Sequence, residues 1–251
     1  RSGEFRRAIE QVAFAAAKDE ARPVLSGVNL RIGGGALRLS AADGFRLSIK
    51  THELATTDDV DVIVPARAML EVARAIGSEE DEVEVMVASN RTQVGFSVPT
   101  LSGRVLVTTR LLEGVFPDLD RVVPAEAATT VTIDREALSR AVKVASIFAR
   151  DSAHNIRLDV TADSEDGLVW GSVTVSGASN DHGDNQTTVP CRVAGADCSV
   201  NFSSEFLAEW LSSVKSAQVT LALGGAITPG TFRALEEPTL VHVIMPMHSA
   251  R

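Results

Sequence analysis

Residues 62–76, VIVPARAMLEVARAI, read as a strand that runs through a proline into an amphipathic helix. Pro65 suits the start of a helix, where no amide donor is needed. Met69, Ala73 and Ile76 recur at helical spacing and form the buried stripe, while Arg67, Glu71 and Arg74 fall outside it. Residues 198–214, CSVNFSSEFLAEWLSSV, follow the same plan, with Leu207, Leu211 and Val214 inward and Trp210 beside them. A second pair of segments, 4–18 and 134–150, each reads as an amphipathic helix followed by strands, at a similar offset. A repeat this long is too large for a solenoid and fits two homologous domains in tandem. The second copy opens near Thr129, which divides the chain into 1–128 and 129–251.

The 251 residues are 45% apolar, enough for two real cores. The net charge is −9 and both halves share it, with 15 basic and 19 acidic residues in 1–128 and 9 and 14 in 129–251. Taken alone, that balance argues against a nucleic-acid partner. No apolar run reaches the length of a membrane span, and no signal peptide is visible. The only cysteines, Cys191 and Cys198, suggest buried thiols in a reducing compartment, the cytoplasm. Charge is unevenly distributed: the helices read at 4–18, 66–76, 135–150 and 203–215 hold ten basic and six acidic residues, a net of +4 that leaves −13 elsewhere. Two readings fit. Helix surfaces tolerate Lys and Arg well; alternatively, the helices share one electropositive surface.

In the first helix Phe5, Ile9, Val12 and Ala16 share a face, and Phe14 falls on the opposite side. Strands are expected at 27–32, 36–41, 46–50, 60–64 and 82–88. Gly33-Gly34-Gly35 lies between two of them, which makes it a hairpin turn rather than a phosphate-cradling loop. The acidic stretch from Glu79 to Glu84 lacks calcium-loop spacing and reads as a solvated turn. In the second half Asp134 is a good N-cap. Leu138, Val142, Ala145 and Ala149 make an apolar stripe, with Arg140, Lys143 and Arg150 opposite.

Catalytic motifs are missing: there is no nucleophile elbow, Walker loop, H-E-x-x-H or paired C-x-x-C. The one cluster with metal-ligand chemistry is Asp181-His182-Gly183-Asp184-Asn185. Asp181, His182 and Asp184 would suit a metal-dependent phosphohydrolase, but such a site needs ligands from other loops. Asp, Asn and Gly are also what a hairpin turn selects, and the turn is the reading favoured here. Trp170 and Trp210 fit strand or core packing better than base stacking. No metal and no cofactor are expected.

Five segments in order carry a resemblance: Arg22-Pro23-Val24-Leu25-Ser26-Gly27-Val28; Ala41-Ala42-Asp43-Gly44-Phe45-Arg46-Leu47; Val64-Pro65-Ala66-Arg67; the run from Thr109 to Asp118 leading to Val122-Val123-Pro124; and Val243-Ile244-Met245-Pro246-Met247. Together they resemble the bacterial DNA polymerase III β subunit family, the sliding clamps, over that family's second and third domains only. The resemblance implies an α+β fold of two tandem clamp-type domains, each with two helices packed on antiparallel sheets. It implies a non-enzymatic processivity factor: a six-domain ring, built head to tail, that surrounds duplex DNA and tethers polymerase. A chain with two of the three domains would be largely monomeric, or would form a ring as a trimer.

Two sets of residues follow from the resemblance. Sequence-independent contact with duplex DNA would fall to Arg7, Lys18, Arg67, Arg74, Arg140, Lys143 and Arg150, with Arg67 matching a basic family position at a helix start. Short linear peptides from polymerase and clamp-loader subunits would dock in an apolar pocket at the junction of the family's second and third domains. Its residues here would be Leu25, Ala42, Gly44, Phe45, Arg46, Leu47, Pro117, Arg121, Val122, Phe206, Ile227, Pro229, Val243, Ile244, Met245, Pro246 and Met247. Methionine suits such a pocket because its side chain adapts to several shapes. Departures from the family pattern are Ala42 in place of threonine, Ser203 and Phe206 in place of Asn and Tyr, and a tail that runs on to Arg251. A clamp-like module that docks proteins without being loaded on DNA is the remaining alternative.

Overall fold

A helix with apolar residues every three to four positions can bury one side only, and a sheet is the surface it finds here. The computed structural model describes residues 1–19, 21–163, 170–179 and 183–248. They fall into two units, Arg1–Leu119 and Asp120–Arg251. Both are α+β, and every strand pairing described within them is antiparallel.

In the first unit α1 (Ser2–Val12) buries Phe5, Ala8, Ile9 and Val12. The helix then tightens into a 3-10 turn, Ala13–Ala15. That change of pitch accounts for Phe14, which interrupts a strict α-helical stripe. Phe14 is half-buried against the core, with the Arg46 guanidinium 5.4 Å from its ring centre. The helix expected over 4–18 therefore ends early, and Lys18 stands beyond it. The strands that follow are β1 (Gly27–Gly33), β2 (Ala36–Ala42), β3 (Arg46–Glu53) and β4 (Val60–Pro65), ordered β3-β2-β1-β4. Gly34 and Gly35 join β1 to β2 with φ of 60° and 78°, the left-handed region that glycine enters freely. Pro65 then opens α2 (Ala66–Ala75), which buries Met69, Val72 and Ala73. A three-stranded sheet closes the unit: β5 (Glu84–Val87), β6 (Gln93–Thr100) and β7 (Gly103–Arg110), in that order.

The second unit adds a strand ahead of its first helix. β8 (Thr129–Asp134) leads into α3 (Arg135–Phe148), and the Asp134 carboxylate accepts from the Ala137 amide at 2.7 Å as its cap. β9 (Asn155–Asp163), β10 (Trp170–Ser179), β11 (Gly183–Gly195) and β12 (Cys198–Ser203) precede α4 (Ser204–Ser213). The last strands are β13 (Gln218–Leu223), β14 (Gly230–Ala234) and β15 (Glu237–Ile244). Within this unit the order is β12-β9-β10-β11-β8-β13-β14-β15. The core gathers Phe202, Trp210, Phe232 and His242, with the Trp210 and Phe232 rings 5.1 Å apart. Trp170 differs from Trp210: it lies on β10, half-exposed, under the guanidinium of Arg192. The order helix, four strands, helix, three strands thus occurs twice.

The position of α3 depends on one glycine. A Cβ on Gly177 of β10 would lie 2.2 Å from the carbonyl oxygen of Ala145, inside contact distance. Gly177→Ala is expected to cost about 1–3 kcal/mol through overpacking, read as a lower urea midpoint. Both cysteines are free thiols. Burial pushes the Cys191 thiol up to about 11 and raises that of Cys198. Thiolate is the reactive species. Both should therefore react slowly with a disulfide reagent at pH 8 in the native protein and rapidly in urea.

Candidate functional site

The β2–β3 turn carries the residues that the sequence singles out in the first unit. Asp43 organises it: its Oδ1 accepts from the amides of Phe45 (2.9 Å) and Arg46 (3.0 Å), the side-chain-to-backbone pattern that defines an Asx turn. Its Oδ2 meets the Arg46 guanidinium at 3.0 Å, and both side chains are largely buried. Arg46 also donates to the Phe14 carbonyl at 2.9 Å. Its charge is thus directed inward, and its work in this unit is to lock the turn. Ala42 and Leu47, which flank the turn, are buried too, as is Leu25.

What the turn presents is Phe45, 63% exposed. Beside it, Arg22 donates to the Asp43 carbonyl and lies over Gly44. Arg22 belongs to the segment around the 3-10 turn Pro23–Ser26, where Val24 closes against Gly114. Val115 follows and is 90% exposed. Pro117 is exposed as well. Sequence reasoning does not single out Arg22, Val24 or Val115 as docking residues. Val115 lies within the run from Thr109 to Asp118, but its exposure depends on how 112–116 crosses Val24.

In the second unit the tail leaves β15 along the start of β12. The amide of Met247 donates to Asn201 at 2.8 Å, and Asn155 donates to the His248 carbonyl at 3.2 Å. Val243 and Ile244 are buried, so they anchor the tail and offer no surface of their own. Met245 is 39% exposed, and Pro246 and Met247 are half-buried. Phe206 is half-buried on α4, one turn from Ser203, whose hydroxyl accepts from its amide. Ile227 is 80% exposed, Pro229 half-buried, and Arg121 and Val122 stand exposed near the start of the unit.

The cationic residues are on the exposed helix faces. Arg7 and Arg67 are exposed on α1 and α2; Arg74 is exposed but paired with Glu71. On α3, Lys143 is exposed and Arg140 lies 3.9 Å from Glu136. Arg150 falls in the 3-10 turn that follows α3, beyond the helix end expected from the sequence. Arg135 is not part of this set, because its guanidinium donates to the Ser216 carbonyl at 3.0 Å.

Asp181 and His182 lie outside the described residues. Asp184 stands on β11 opposite Ala178 of β10. Among the described residues no group of three or more His, Cys, Asp or Glu is placed to hold a metal ion, and no helix is long and apolar enough to cross a membrane.

Residues 1–118 match the central domain of the DNA polymerase III beta subunit, and residues 120–248 match its C-terminal domain. The chain belongs to the DNA polymerase III β subunit family. Among curated relatives, the beta sliding clamp of Bacillus subtilis (strain 168) is 25% identical over 244 residues, covering 96% of this chain and 61% of that protein. The beta sliding clamp of Staphylococcus aureus (strain N315) is 28% identical over 247 residues, covering 98% and 62%. The solved Bacillus subtilis clamp matches with a TM-score of 0.89 at 22% identity, over 99% of this chain and 63% of that one. The beta chain from Streptococcus pneumoniae TIGR4 gives 0.86 at 27%, over 99% and 63%. A Pseudomonas aeruginosa clamp solved with bound griselimycin gives 0.87 at 24%, over 99% and 64%. The chain thus spans just under two thirds of the length of these relatives, and its fold is that of a sliding clamp.

Removing one partner of a buried ion pair strands the other charge. Asp43→Ala is therefore expected to destabilise the first unit by about 3 kcal/mol in chemical denaturation. The loss of the two amide bonds should also show as faster exchange at Phe45 and Arg46.

Proposed function

We propose that this chain is a clamp component that docks short linear peptides of replication and repair proteins and contributes cationic helices to a DNA-surrounding ring. The observation that carries the docking half is Phe45: a large apolar side chain left exposed on a turn that a buried ion pair holds rigid. Rigid exposed aromatics give contact area at small entropic cost, the property of interface anchors. The partly exposed Met245 and Met247 of the second unit supply adaptable apolar surface of the kind that accommodates several peptides. Leu25, Ala42 and Leu47, together with Val243 and Ile244, act in this reading by supporting that surface. Pro117, Arg121, Val122, Phe206, Ile227 and Pro229 complete the proposed set.

Sliding asks for loose contact with phosphates and no base reading. Arg7, Lys18, Arg67, Arg74, Arg140, Lys143 and Arg150 are proposed for it. The work is tethering in the cytoplasm, with no bond made or broken and no cofactor.

Anisotropy of a labelled polymerase-tail peptide tests docking. Phe45→Ala and Met245→Ala, chosen because both side chains reach solvent, should each weaken binding by about tenfold or more. Unchanged affinity in both would remove the docking assignment. For DNA, Arg67→Gln with Lys143→Gln should reduce the slope of log affinity against log salt by about 0.9 for each phosphate that is no longer neutralised. An unaltered slope would exclude these two from the DNA-facing set. Light scattering at micromolar concentration reads the assembly: a stable trimer means that this chain alone closes a six-domain ring, and a monomer means that further domains are needed.

A further inference from the structure

The internal duplication allows the two units to be placed in register residue by residue. In the second unit the amide of Arg135, at the start of α3, donates to the Ala217 carbonyl just ahead of β13 (3.0 Å). In the first, the amide of Ser2, at the start of α1, donates to the Asp81 carbonyl ahead of β5 (2.8 Å). Asp81 thus corresponds to Ala217. Counting forward, Val83, Val85 and Val87 correspond to Val219, Leu221 and Leu223. The ladders give an independent registration. Gly27 is opposite Pro65, which opens α2, as Asn155 is opposite Ser203, which opens α4. Followed through Ile32–Leu37–His52 and Val160–Val173–Val189, the ladders put Leu54 in the place of Cys191.

In the second unit β8 fills the space flanked by these residues. Ile133 is opposite both Val219 and Cys191, and Val131 is opposite both Leu221 and Val193. Val219, Leu221, Leu223 and Cys191 are all buried. In the first unit no described strand takes that position, and β5 is paired with β6 alone. The corresponding side chains are less covered: Val83, Val85 and Val87 are half-buried and Leu54 is 37% exposed. An edge of this kind, with its backbone groups unpaired and its flank apolar, is a template for another strand.

We propose that the outer edge of β5 is a strand-acceptor site. Its occupant is an extended segment antiparallel to β5 that ends at the start of α1. It carries β-branched apolar residues at the two alternate positions that Val131 and Ile133 fill in the second unit. It covers Val83, Val85, Val87 and Leu54, and its backbone pairs with the outward amides and carbonyls of β5. This site is separate from the peptide-docking residues and does not depend on that reading.

The test uses the full chain with the β8 sequence, Thr-Thr-Val-Thr-Ile-Asp, grafted ahead of Ser2 in place of Arg1. The control is the same graft with serine at its two apolar positions. The apolar graft should raise the melting temperature by about 3 °C or more over the control. It should also slow hydrogen exchange of the outward β5 amides by about tenfold. Equal melting temperatures and equal exchange in the two grafts would overturn the proposal.

Discussion

Each helix of this chain must lie flat on an antiparallel sheet with one face while the other stays wet. The contact of Gly177 with Ala145 shows how tight that demand is, since it leaves no room for one methyl group. Because packing fixes the roll of α3, it also fixes where charge can go. Leu138, Val142 and Ala145 are inside, so Arg140 and Lys143 are outside. The excess of positive charge on the helices is therefore a consequence of packing first, and an electrostatic surface second.

Several of the exposed cations are held only loosely. Arg6 is 3.2 Å from Glu10, Arg140 is 3.9 Å from Glu136, and Arg74 pairs with Glu71, all on helix surfaces. Pairs of this kind contribute little, about 0–1 kcal/mol each, because water competes for both charges. A passing phosphate can replace the carboxylate at small cost. Such a surface suits contact that must be made and broken repeatedly, and the acidic remainder of the chain, at −13, discourages phosphates from settling elsewhere.

The helical stripes, the tandem duplication, the Asp134 cap and the glycine hairpin could all be read from the sequence, because each is set by local periodicity or by one residue's backbone chemistry. The helix ends could not. Val12 gives way to a 3-10 turn in response to the packing of Phe14, a tertiary effect with no local signal. Burial within the candidate site was also out of reach. Arg46 has the composition of a surface residue, but Asp43 and the Phe14 carbonyl draw it inside. Leu47, Val243 and Ile244 share the apolar character of Phe45 and Met245, and only the three-dimensional packing separates support from surface. The reverse holds for Val115: its exposure is created by how residues 112–116 lie against Val24.

The apolar surfaces of the two units differ in how they are restrained. Phe45 stands on a turn with two amides, an ion pair and a carbonyl all satisfied around Asp43 and Arg46. The tail of the second unit is held by a backbone bond at Met247 and a side-chain bond at His248, and its methionine side chains are unbranched. A rigid aromatic loses little entropy when it is covered and so sets affinity. A tethered methionine retains rotamer freedom and can adjust to ligands of different shape. In the proposed docking role the two are complementary: one binds as a fixed anchor and the other tolerates variety, which is what a tether serving several partners requires.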